Sequence, residues 1–348
     1  MAKVKVLIVD DSAVVRNLLS TILSSDRHIE VVGTAPDPFI ARDKVVRLKP
    51  DVLTLDVEMP RMDGITFLGK LMAHFPLPVV IVSSLTQKGA EMTMKAFEAG
   101  AVDVIAKPEM DISKGIEVIS ANIVAKVKAA ASAKVKQRKA PAASRKIARP
   151  VHRALAKSTN KVIAIGASTG GTQAIREVLE MFPADSPGTV IVQHMPEKFT
   201  KAFADRLNSS CAMEVREARE GDGVIPGTVL LAPGSHHMVL KRSGARYYVS
   251  LNENAPVHHQ RPAIDVLFDS VATYAGPNSI GAVLTGMGSD GAAGLLRMKE
   301  AGARTMAQDE ATSVVYGMPK EAAKLGGAEK ILPLQDIAKV ILKCARSK

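Results

Sequence analysis

The chain has 348 residues, 47% of them hydrophobic and 23% charged, which is enough for two soluble domains with packed cores. Only 3% are aromatic and none is Trp, which argues against nucleic-acid modules that stack bases on aromatic side chains. Two cysteines, Cys211 and Cys344, exclude a disulfide framework and a four-cysteine zinc site, and they suit a reducing compartment. The N-terminus does not resemble a signal peptide, and no apolar run has membrane-spanning length. We therefore expect a cytoplasmic protein that is not embedded in a membrane.

The net charge of +11 is concentrated in one stretch of the sequence. Residues 126–157 carry eleven basic side chains and no acidic one, so the rest of the chain is balanced. This distribution does not indicate a nucleic-acid partner. A membrane surface or an acidic partner could use such a charge, but a solvated linker is the favoured interpretation.

The first 110 residues alternate between strand and helix patterns, which predicts a parallel sheet covered on both faces. The predicted strands are Val4–Val9, Glu30–Val32, Val52–Leu55, Val79–Val82 and Val102–Ile105. The predicted helices are Ala13–Leu23, Phe39–Leu48, Gly64–Ala73, Ala90–Ala99 and Ile112–Val127. In such a sheet the chemistry lies at the carboxyl ends of the strands.

Polar side chains follow four of these strands. Asp10 and Asp11 end the first strand, Asp56 the third, Ser83 the fourth, and Lys107 follows the fifth. Three converging carboxylates repel one another unless a hard divalent cation such as Mg²⁺ neutralises them. The nearby hydroxyl and ammonium groups complete a site for a phosphoryl group on Asp56. Each residue alone could be a helix cap or turn residue, but five at one edge favour a site.

These residues resemble the receiver domain of two-component response regulators, over about a third of the chain. The resemblance implies that Asp56 is phosphorylated and that Asp10, Asp11 and the backbone carbonyl of Glu58 bind Mg²⁺. It also implies a histidine kinase of the CheA type as the phosphodonor.

The same resemblance assigns the switch and phosphate-contacting positions. Ser83 matches the hydroxyl switch residue, and Lys107 matches the lysine that precedes Pro108. Many receivers carry an aromatic switch residue three positions before that lysine, where this chain has Val104. A swinging aromatic side chain is therefore not expected to transmit the signal.

The composition divides the chain into a receiver at residues 1–125, a basic linker at 126–158 and a second domain at 159–348. The linker segment is rich in Ala, Lys and Arg, contains two prolines and lacks periodic apolar residues. No helix-turn-helix pattern follows it, which argues against a DNA-binding output domain.

The second domain opens with an apolar strand, Lys161–Ile165, a glycine-rich turn that contains Ser168, and a helix from Thr172 to Phe182. A serine between glycines at a strand-to-helix turn fits a nucleophile elbow, where free N–H groups of the helix can stabilise an oxyanion. A phosphate-binding loop or a simple tight turn fits this stretch about equally well.

Further strands and helices alternate after this turn, which predicts a doubly wound, mostly parallel α/β domain. The four short strands between Glu214 and Leu251 are expected to form an antiparallel patch on its sheet. The predicted strands are Thr189–Val192, Glu214–Arg216, Thr228–Ala232, Met238–Leu240, Tyr247–Leu251, Ser279–Leu284 and Thr305–Gln308. The predicted helices are Phe199–Leu207, Pro262–Ala272 and Ala292–Ala301.

Ser168, His194 and Asp290 each lie just beyond the carboxyl end of a predicted strand. A serine needs a base to become nucleophilic, and an imidazole needs a carboxylate to fix its tautomer and stabilise its charge. These three residues are therefore a candidate triad. Their order along the chain differs from that of α/β-hydrolases, so we do not predict that fold.

Two histidine doublets, His236–His237 and His258–His259, are weak candidates for a metal site. Adjacent residues on a strand point to opposite faces, so a doublet seldom supplies two ligands to one metal ion. Surface or substrate-cleft positions are the favoured interpretation.

The segments GASTGG, QHMP and TGMGSDGA resemble the catalytic domain of the CheB family of chemotaxis methylesterases, and the receiver completes the match. The resemblance implies that Ser168 is the nucleophile, His194 the general base and then acid, and Asp290 the orienting carboxylate. It also implies that Thr169 and Met287 help to form the oxyanion and substrate site, Met287 through its N–H. No cofactor is expected for this hydrolysis.

By this resemblance the chain is a protein-glutamate methylesterase that also deamidates glutamine, with methylated chemoreceptors as substrates. The expected regulation is that the unphosphorylated receiver blocks the Ser168 cleft and that phosphorylation of Asp56 favours an open state. The alternatives are a response regulator whose second domain is an inactive binding module, and a hydrolase of a non-receptor ester.

Overall fold

The computed structural model describes residues 3–59, 62–107, 116–135 (backbone alone for 116–119) and 161–346. The chain separates into two compact units, Met1–Arg145 and Lys146–Lys348. No helix within the described residues combines the length and the apolar character needed to cross a membrane.

The described part of the first unit contains a parallel sheet with strand order β2-β1-β3-β4-β5. Its strands are β1 (Val4–Val9), β2 (Ile29–Ala35), β3 (Val52–Asp56), β4 (Val79–Ser83) and β5 (Asp103–Ala106). Its helices are α1 (Ala13–Ser24), α2 (Pro38–Leu48), α3 (Gly64–His74), α4 (Gln87–Ala99) and α5 (Ile116–Ala131). The first four helices each follow a side-chain cap, at Ser12, Asp37, Asp63 and Thr86, which accepts hydrogen bonds from the free N–H groups of the first turn. The predicted parallel sheet is confirmed, and its strand order is that of the flavodoxin-like fold.

Helix α5 extends beyond the predicted start of the linker at residue 126. Lys126 is buried and lies 2.5 Å from Asp103, and Lys128 lies 3.1 Å from Asp26. These two lysines therefore belong to the receiver, where acidic partners neutralise them. Residues 136–158 of the predicted linker lie outside the described residues.

The second unit contains a larger parallel sheet with strand order β14-β13-β12-β6-β7-β9-β8 within the described residues. Its strands are β6 (Val162–Ala167), β7 (Thr189–Gln193), β8 (Glu214–Glu217), β9 (Thr228–Leu231), β12 (Ser279–Val283), β13 (Arg304–Gln308) and β14 (Lys330–Leu332), and β10 (His237–Ser243) with β11 (Arg246–Asn252) lies apart. Its α-helices are α6 (Gly171–Leu179), α7 (Phe199–Ser210), α8 (Ile264–Tyr274), α9 (Ala292–Glu300), α10 (Met318–Lys324) and α11 (Leu334–Arg346). The strands β6, β7, β9 and β12 are buried along their whole length, as expected for a sheet covered on both faces.

Among the described strands of this unit, the predicted antiparallel pairing is found in the β10–β11 hairpin, which forms a separate sheet. The strands β8 and β9 were expected in the same patch, but they pair in parallel at the edge of the main sheet. The reason is burial: all four residues of β9 are buried, which is typical of an interior parallel strand, whereas β10 ends in exposed polar residues.

Candidate functional site

The three candidate triad residues follow strands that lie side by side. β6 pairs with β7 on one side and with β12 on the other. Ala167 and Gln193 are partners in the parallel register of β6 and β7, and Ser168 and His194 are the next residues along each strand. Asp290 follows β12 after a short turn. Because the carboxyl ends of parallel strands meet at one edge of a sheet, the fold brings these three positions together.

A short contact joins the imidazole to the carboxylate. His194 Nε2 lies 2.7 Å from Asp290 Oδ2, and both side chains are 3% exposed. The start of α8 adds two further donors, since Ile264 N donates to Asp290 Oδ2 and Asp265 N donates to Oδ1, each at 2.8 Å. Burial raises the pKa of Asp290, but the hydrogen bonds and charge of His194 and these N–H groups outweigh it and hold the pKa below its usual value. Asp290 is therefore a charged, fully bonded carboxylate.

The backbone of Ser168 is held from several sides. Ser168 N donates to Thr285 O at 3.0 Å, and Ser168 O accepts from Gly171 N at 2.7 Å and from Gln193 Nε2 at 2.9 Å. His194 N donates to Ala167 O at 3.1 Å, which ties the residue before the serine to the candidate base. The turn is thus a rigid support for the serine side chain.

Two glycines let the chain approach Ser168 closely. Gly170 has a φ of 77°, in the left-handed region, and α6 begins directly after it. A Cβ on Gly286 would lie 2.6 Å from Ser168 Cβ and 2.4 Å from Met318 Sδ. The turn after β12 can therefore pack on the serine only because residue 286 has no side chain.

Thr169 and Met287, the two further residues implied for the oxyanion and substrate site, differ in exposure. Thr169 is 2% exposed, and its carbonyl lies 3.0 Å from Thr285 Oγ1. Met287 is 41% exposed and lies in a turn fixed by the Gly286 backbone, which bonds with Val315, Gly317 and Met318. Across the described residues, the Met287 N–H has no acceptor.

Two supporting side chains were not predicted from the sequence. Gln193 Nε2 donates to Ser168 O and lies 3.3 Å from His194 O, so one amide links the two candidate catalytic residues. Thr285 Oγ1 accepts from Val315 N at 2.9 Å and lies within bonding distance of Thr169 O and Val315 O. The available signal was a polar residue at the end of an otherwise apolar, buried strand, which is costly unless it is hydrogen-bonded.

The receiver residues also converge. Carboxylate oxygens of Asp10, Asp11 and Asp56 lie within 4.8 Å of one another. Lys107 Nζ lies 2.7 Å from Asp56 Oδ2 and 3.4 Å from Asp10 Oδ2. Burial, followed by the charge of Asp56, raises the pKa of Asp10 to about 6. Beyond the ion pair with Lys107, the buried Asp10 Oδ2 has no hydrogen-bond partner, so this donor set fits a hard divalent cation such as Mg²⁺.

The other receiver positions lie beside this cluster. Glu58 N donates to Asp56 Oδ1 at 2.9 Å, which places Glu58 next to the acceptor aspartate. The role of its carbonyl as a metal ligand stays a prediction. Ser83 is buried, and its hydroxyl donates to Gly89 O at 3.1 Å, so it points toward the start of α4. Val104 is buried in β5.

The histidine doublets occupy different environments. His236 Nε2 lies 3.1 Å from Glu253, His258 pairs with Asp265, and His259 is exposed. His237 is 1% exposed, with Nε2 3.1 Å from Ala255 O and Nδ1 accepting from Ala263 N at 3.2 Å. Burial lowers the pKa of His237, and the charge of Arg261 adds to this effect, while the hydrogen bond to Ala255 O opposes it in part. Neither doublet brings two imidazoles to one point among the described residues, although single atoms of His258, Asp265 and Asp290 cluster within 4.8 Å.

Both units match known protein families. The family model described as CheB methylesterase matches residues 163–341, and the response regulator receiver domain matches residues 6–119. A solved structure of the CheB methylesterase catalytic domain from Thermotoga maritima is 37% identical, covers 53% of this chain and 97% of that chain, and has a TM-score of 0.52.

Full-length relatives are similar along nearly the whole chain. The protein-glutamate methylesterase/protein-glutamine glutaminase 2 of Syntrophus aciditrophicus is 58% identical and covers 99% of both chains. The protein-glutamate methylesterase/protein-glutamine glutaminase of Bdellovibrio bacteriovorus is 55% identical and covers 98% of this chain and 97% of the relative. With a receiver unit in front of a methylesterase unit, and with this identity over its full length, the chain belongs to the CheB family of receiver-linked methylesterases.

Proposed function

We propose that this chain is a phosphorylation-regulated serine hydrolase that demethylates glutamyl methyl esters of chemoreceptors and deamidates their glutamines. The observation that carries the proposal is the buried contact of 2.7 Å between His194 and Asp290, one strand away from Ser168. The names of the relatives supply the substrate class.

The first step is attack by Ser168 Oγ on the ester carbonyl carbon while the imidazole of His194 takes the hydroxyl proton. Since Nε2 of His194 is bonded to Asp290, Nδ1 is the nitrogen left to take the proton. Asp290 keeps the ring in this tautomer and stabilises its positive charge after the transfer.

The tetrahedral intermediate places a negative charge on the former carbonyl oxygen. The N–H of Met287 is suited to stabilise it because it has no acceptor in the described part of the chain and lies in a turn packed on Ser168. Free N–H groups at the start of α6 stabilise the same negative charge, and Thr169 is the further residue of the oxyanion site.

Collapse of the intermediate releases the alcohol. The imidazolium of His194 gives its proton to the departing methoxide, so methanol leaves and Ser168 holds the glutamyl acyl group. Water then attacks the acyl carbon while His194 takes its proton. The bond between this carbon and Ser168 Oγ breaks, His194 returns the proton to Oγ, and glutamate is released. With a glutamine side chain the same steps release ammonia.

The receiver unit supplies the regulation in this proposal. Asp56 accepts a phosphoryl group, Lys107 contacts its oxygens, and Ser83 is the hydroxyl switch. Asp10, Asp11 and the carbonyl of Glu58 would hold Mg²⁺, which neutralises the charge that builds up on the phosphoryl oxygens. A CheA-type histidine kinase is the proposed phosphodonor, and activation follows from a shift in population toward an open catalytic cleft.

Two alternative functions predict different outcomes. An inactive binding module would not need the hydrogen bonds that orient His194 and Asp290. A hydrolase of a non-receptor ester would use the same triad on another substrate.

The cytoplasm is the proposed location because the substrate sites and the kinase must meet the enzyme there.

A fluorophosphonate probe tests the hydrolase directly. We expect covalent labelling of the full chain at Ser168, identified by peptide mass, and no labelling at this position in the Ser168→Ala variant. Ser209 on α7 provides a matched control, since Ser209→Ala should leave labelling unchanged. An unlabelled wild-type chain would favour the binding module.

A further inference from the structure

His258 and His259 occupy a tight turn that normally takes other residues. Val257 and Gln260 close the turn with two backbone hydrogen bonds of 3.1 and 2.9 Å. The φ angles of the two histidines are 52° and 59°, both in the left-handed region. A two-residue turn with two positive φ angles favours Asn and Gly, because larger side chains are strained there. Strained backbone conformations of this kind cluster at functional sites, so the side chains of these two histidines are candidates for a functional role.

The imidazole of His258 reaches a buried carboxylate. His258 Nε2 lies 2.9 Å from Asp265 Oδ2, with the imidazole 44% exposed and Asp265 only 7% exposed. The other carboxylate oxygen, Asp265 Oδ1, accepts from Gly294 N at 2.6 Å. A Cβ at residue 294 would lie 2.9 Å from Asp265 Oδ1, so a glycine is needed for this contact. Each oxygen of the Asp265 carboxylate thus has a hydrogen-bond partner.

Asp265 in turn adjoins Asp290. Its N–H donates to Asp290 Oδ1 at 2.8 Å, and ligand atoms of His258, Asp265 and Asp290 lie within 4.8 Å of one another. The side chains therefore form a row of four ionisable groups: His258, Asp265, Asp290 and His194. Two buried carboxylates at this separation repel, and burial together with the charge of Asp290 raises the pKa of Asp265.

We propose that His258 and Asp265 are a charged positioning pair for the esterase site, which keeps the start of α8 bonded to Asp290 and sets the charge that His194 experiences. This inference rests on the proposed function. Neither residue touches the reacting atoms, and both act through Asp290. The imidazolium of His258 compensates the Asp265 carboxylate, so that both carboxylates stay ionised side by side.

The ionisable groups near Asp290 determine the direction of the expected effects. In the described residues they include His194 after β7, His237 on β10, whose pKa burial lowers, Arg261, whose charge acts on His237, and the proposed pair itself. Removing the negative charge of Asp265 makes the environment of Asp290 and His194 more positive, which disfavours the protonated form of His194. Removing the positive charge of His258 has the opposite effect. Two opposite shifts that cancel in the double variant distinguish a charge effect from a packing effect.

The experiment measures the rate of fluorophosphonate labelling of Ser168 in the full chain as a function of pH. Asp265→Asn should move the acid limb of the profile to lower pH by about half a unit, the size expected for one charge in a partly solvated site. His258→Asn should move the limb up by a similar amount, and asparagine tolerates the left-handed backbone of this position. The double variant should return to the wild-type profile.

His259→Asn is the matched control, since it replaces the same residue type in the same backbone conformation at an exposed position. Its acid limb should not move. Acid limbs that coincide in wild type, Asp265→Asn and His258→Asn would overturn the proposed pair while leaving the hydrolase intact. If Asp265→Asn fails to fold, the exposed His258 variant carries the test alone. A wild-type chain that is not labelled at any pH and releases no methanol would refute the proposed function and this inference with it.

Discussion

The imidazole of His194 and the carboxylate of Asp290 meet at 2.7 Å although 96 positions separate them along the chain. Strands β7 and β12 lie on either side of β6, so the contact crosses the end of the strand that carries Ser168. The start of α8 completes the coordination of Asp290 through two N–H groups. This arrangement explains how a parallel α/β sheet brings together the residues of the proposed triad, whose chain order is Ser, His, Asp.

Asp290→Asn should lower kcat/KM by about 10⁴, since the amide no longer favours the correct tautomer of His194 or stabilises its charge. Methanol release measures the effect. The folded pKa of Asp290 is depressed, so its ionised form contributes stability above the unfolded pKa, and this contribution disappears as the pH falls through the folded pKa. The variant should therefore be less stable than wild type at pH 7, with a smaller difference at pH 3. A variant with wild-type activity would remove Asp290 from the mechanism.

Gly286→Ala should reduce the activity strongly, because its Cβ would lie 2.6 Å from Ser168 Cβ and displace the serine or the turn that carries Met287. A cost of about 1–3 kcal/mol in unfolding free energy should accompany the loss. Gly69→Ala is the matched control, since nothing lies within 4 Å of the added methyl in α3. Thermal unfolding and methanol release on both variants check the prediction. Unchanged activity in Gly286→Ala would mean that this turn does not support the site.

Much of the fold could be predicted from the sequence because the strands are short apolar runs and the caps are Ser, Thr or Asp. The predicted ends of β6, β7 and β12 placed Ser168, His194 and Asp290 at one edge. The order of the strands could not be predicted, since apolar runs do not specify their neighbours. For this reason β8 and β9 were assigned to the wrong kind of pairing. The C-terminal elements α10, β14 and α11 were not predicted, although the apolar residues of α11 recur at helical spacing.

The supporting contacts of the site were less accessible to sequence reasoning. Gln193 stands in a segment that resembled the family, but its bond to Ser168 O depends on the register of β6 and β7. Thr285 and Asp265 act through partners that are distant along the chain. Their hydrogen bonds depend on tertiary packing, so the sequence pattern alone does not reveal which residues they bond to.

Asp10→Asn should stabilise the metal-free chain at pH 7.5. The folded pKa of Asp10 is raised to about 6 from an ordinary value of 3.8, so its ionised form destabilises the fold. This penalty is absent below pH ~4 and complete above pH ~6, and it corresponds to at most about 3 kcal/mol. Thermal unfolding in EDTA at pH 7.5 and pH 4 should show a gain for the variant at the higher pH alone.

Adding Mg²⁺ should make wild type more stable than Asp10→Asn. Binding to the folded state stabilises wild type by mass action, whereas the variant lacks one carboxylate ligand. Asp11→Asn is the comparison at the exposed neighbour, and it should give a smaller gain in EDTA. Equal melting temperatures of wild type and Asp10→Asn in EDTA at both pH values would contradict the strained acidic cluster.

Removal of the receiver should activate the esterase unit in the absence of a phosphodonor. A truncated chain that starts at Lys157 is expected to release methanol faster than the full chain. Acetyl phosphate with Mg²⁺ should raise the rate of methanol release by the full chain toward that of the truncated chain. Asp56→Asn should abolish this response without affecting the triad. Equal rates for the truncated and full chains would argue against inhibition by the receiver.

The most direct measurement is methanol release from a methylated chemoreceptor by the full chain, with and without acetyl phosphate and Mg²⁺. Wild type should release methanol, and more of it with the phosphodonor, whereas Ser168→Ala should be slower by on the order of 10⁴ or more at the chemical step. Ser209→Ala should behave as wild type. Near-normal methanol release by Ser168→Ala would contradict the serine-hydrolase account.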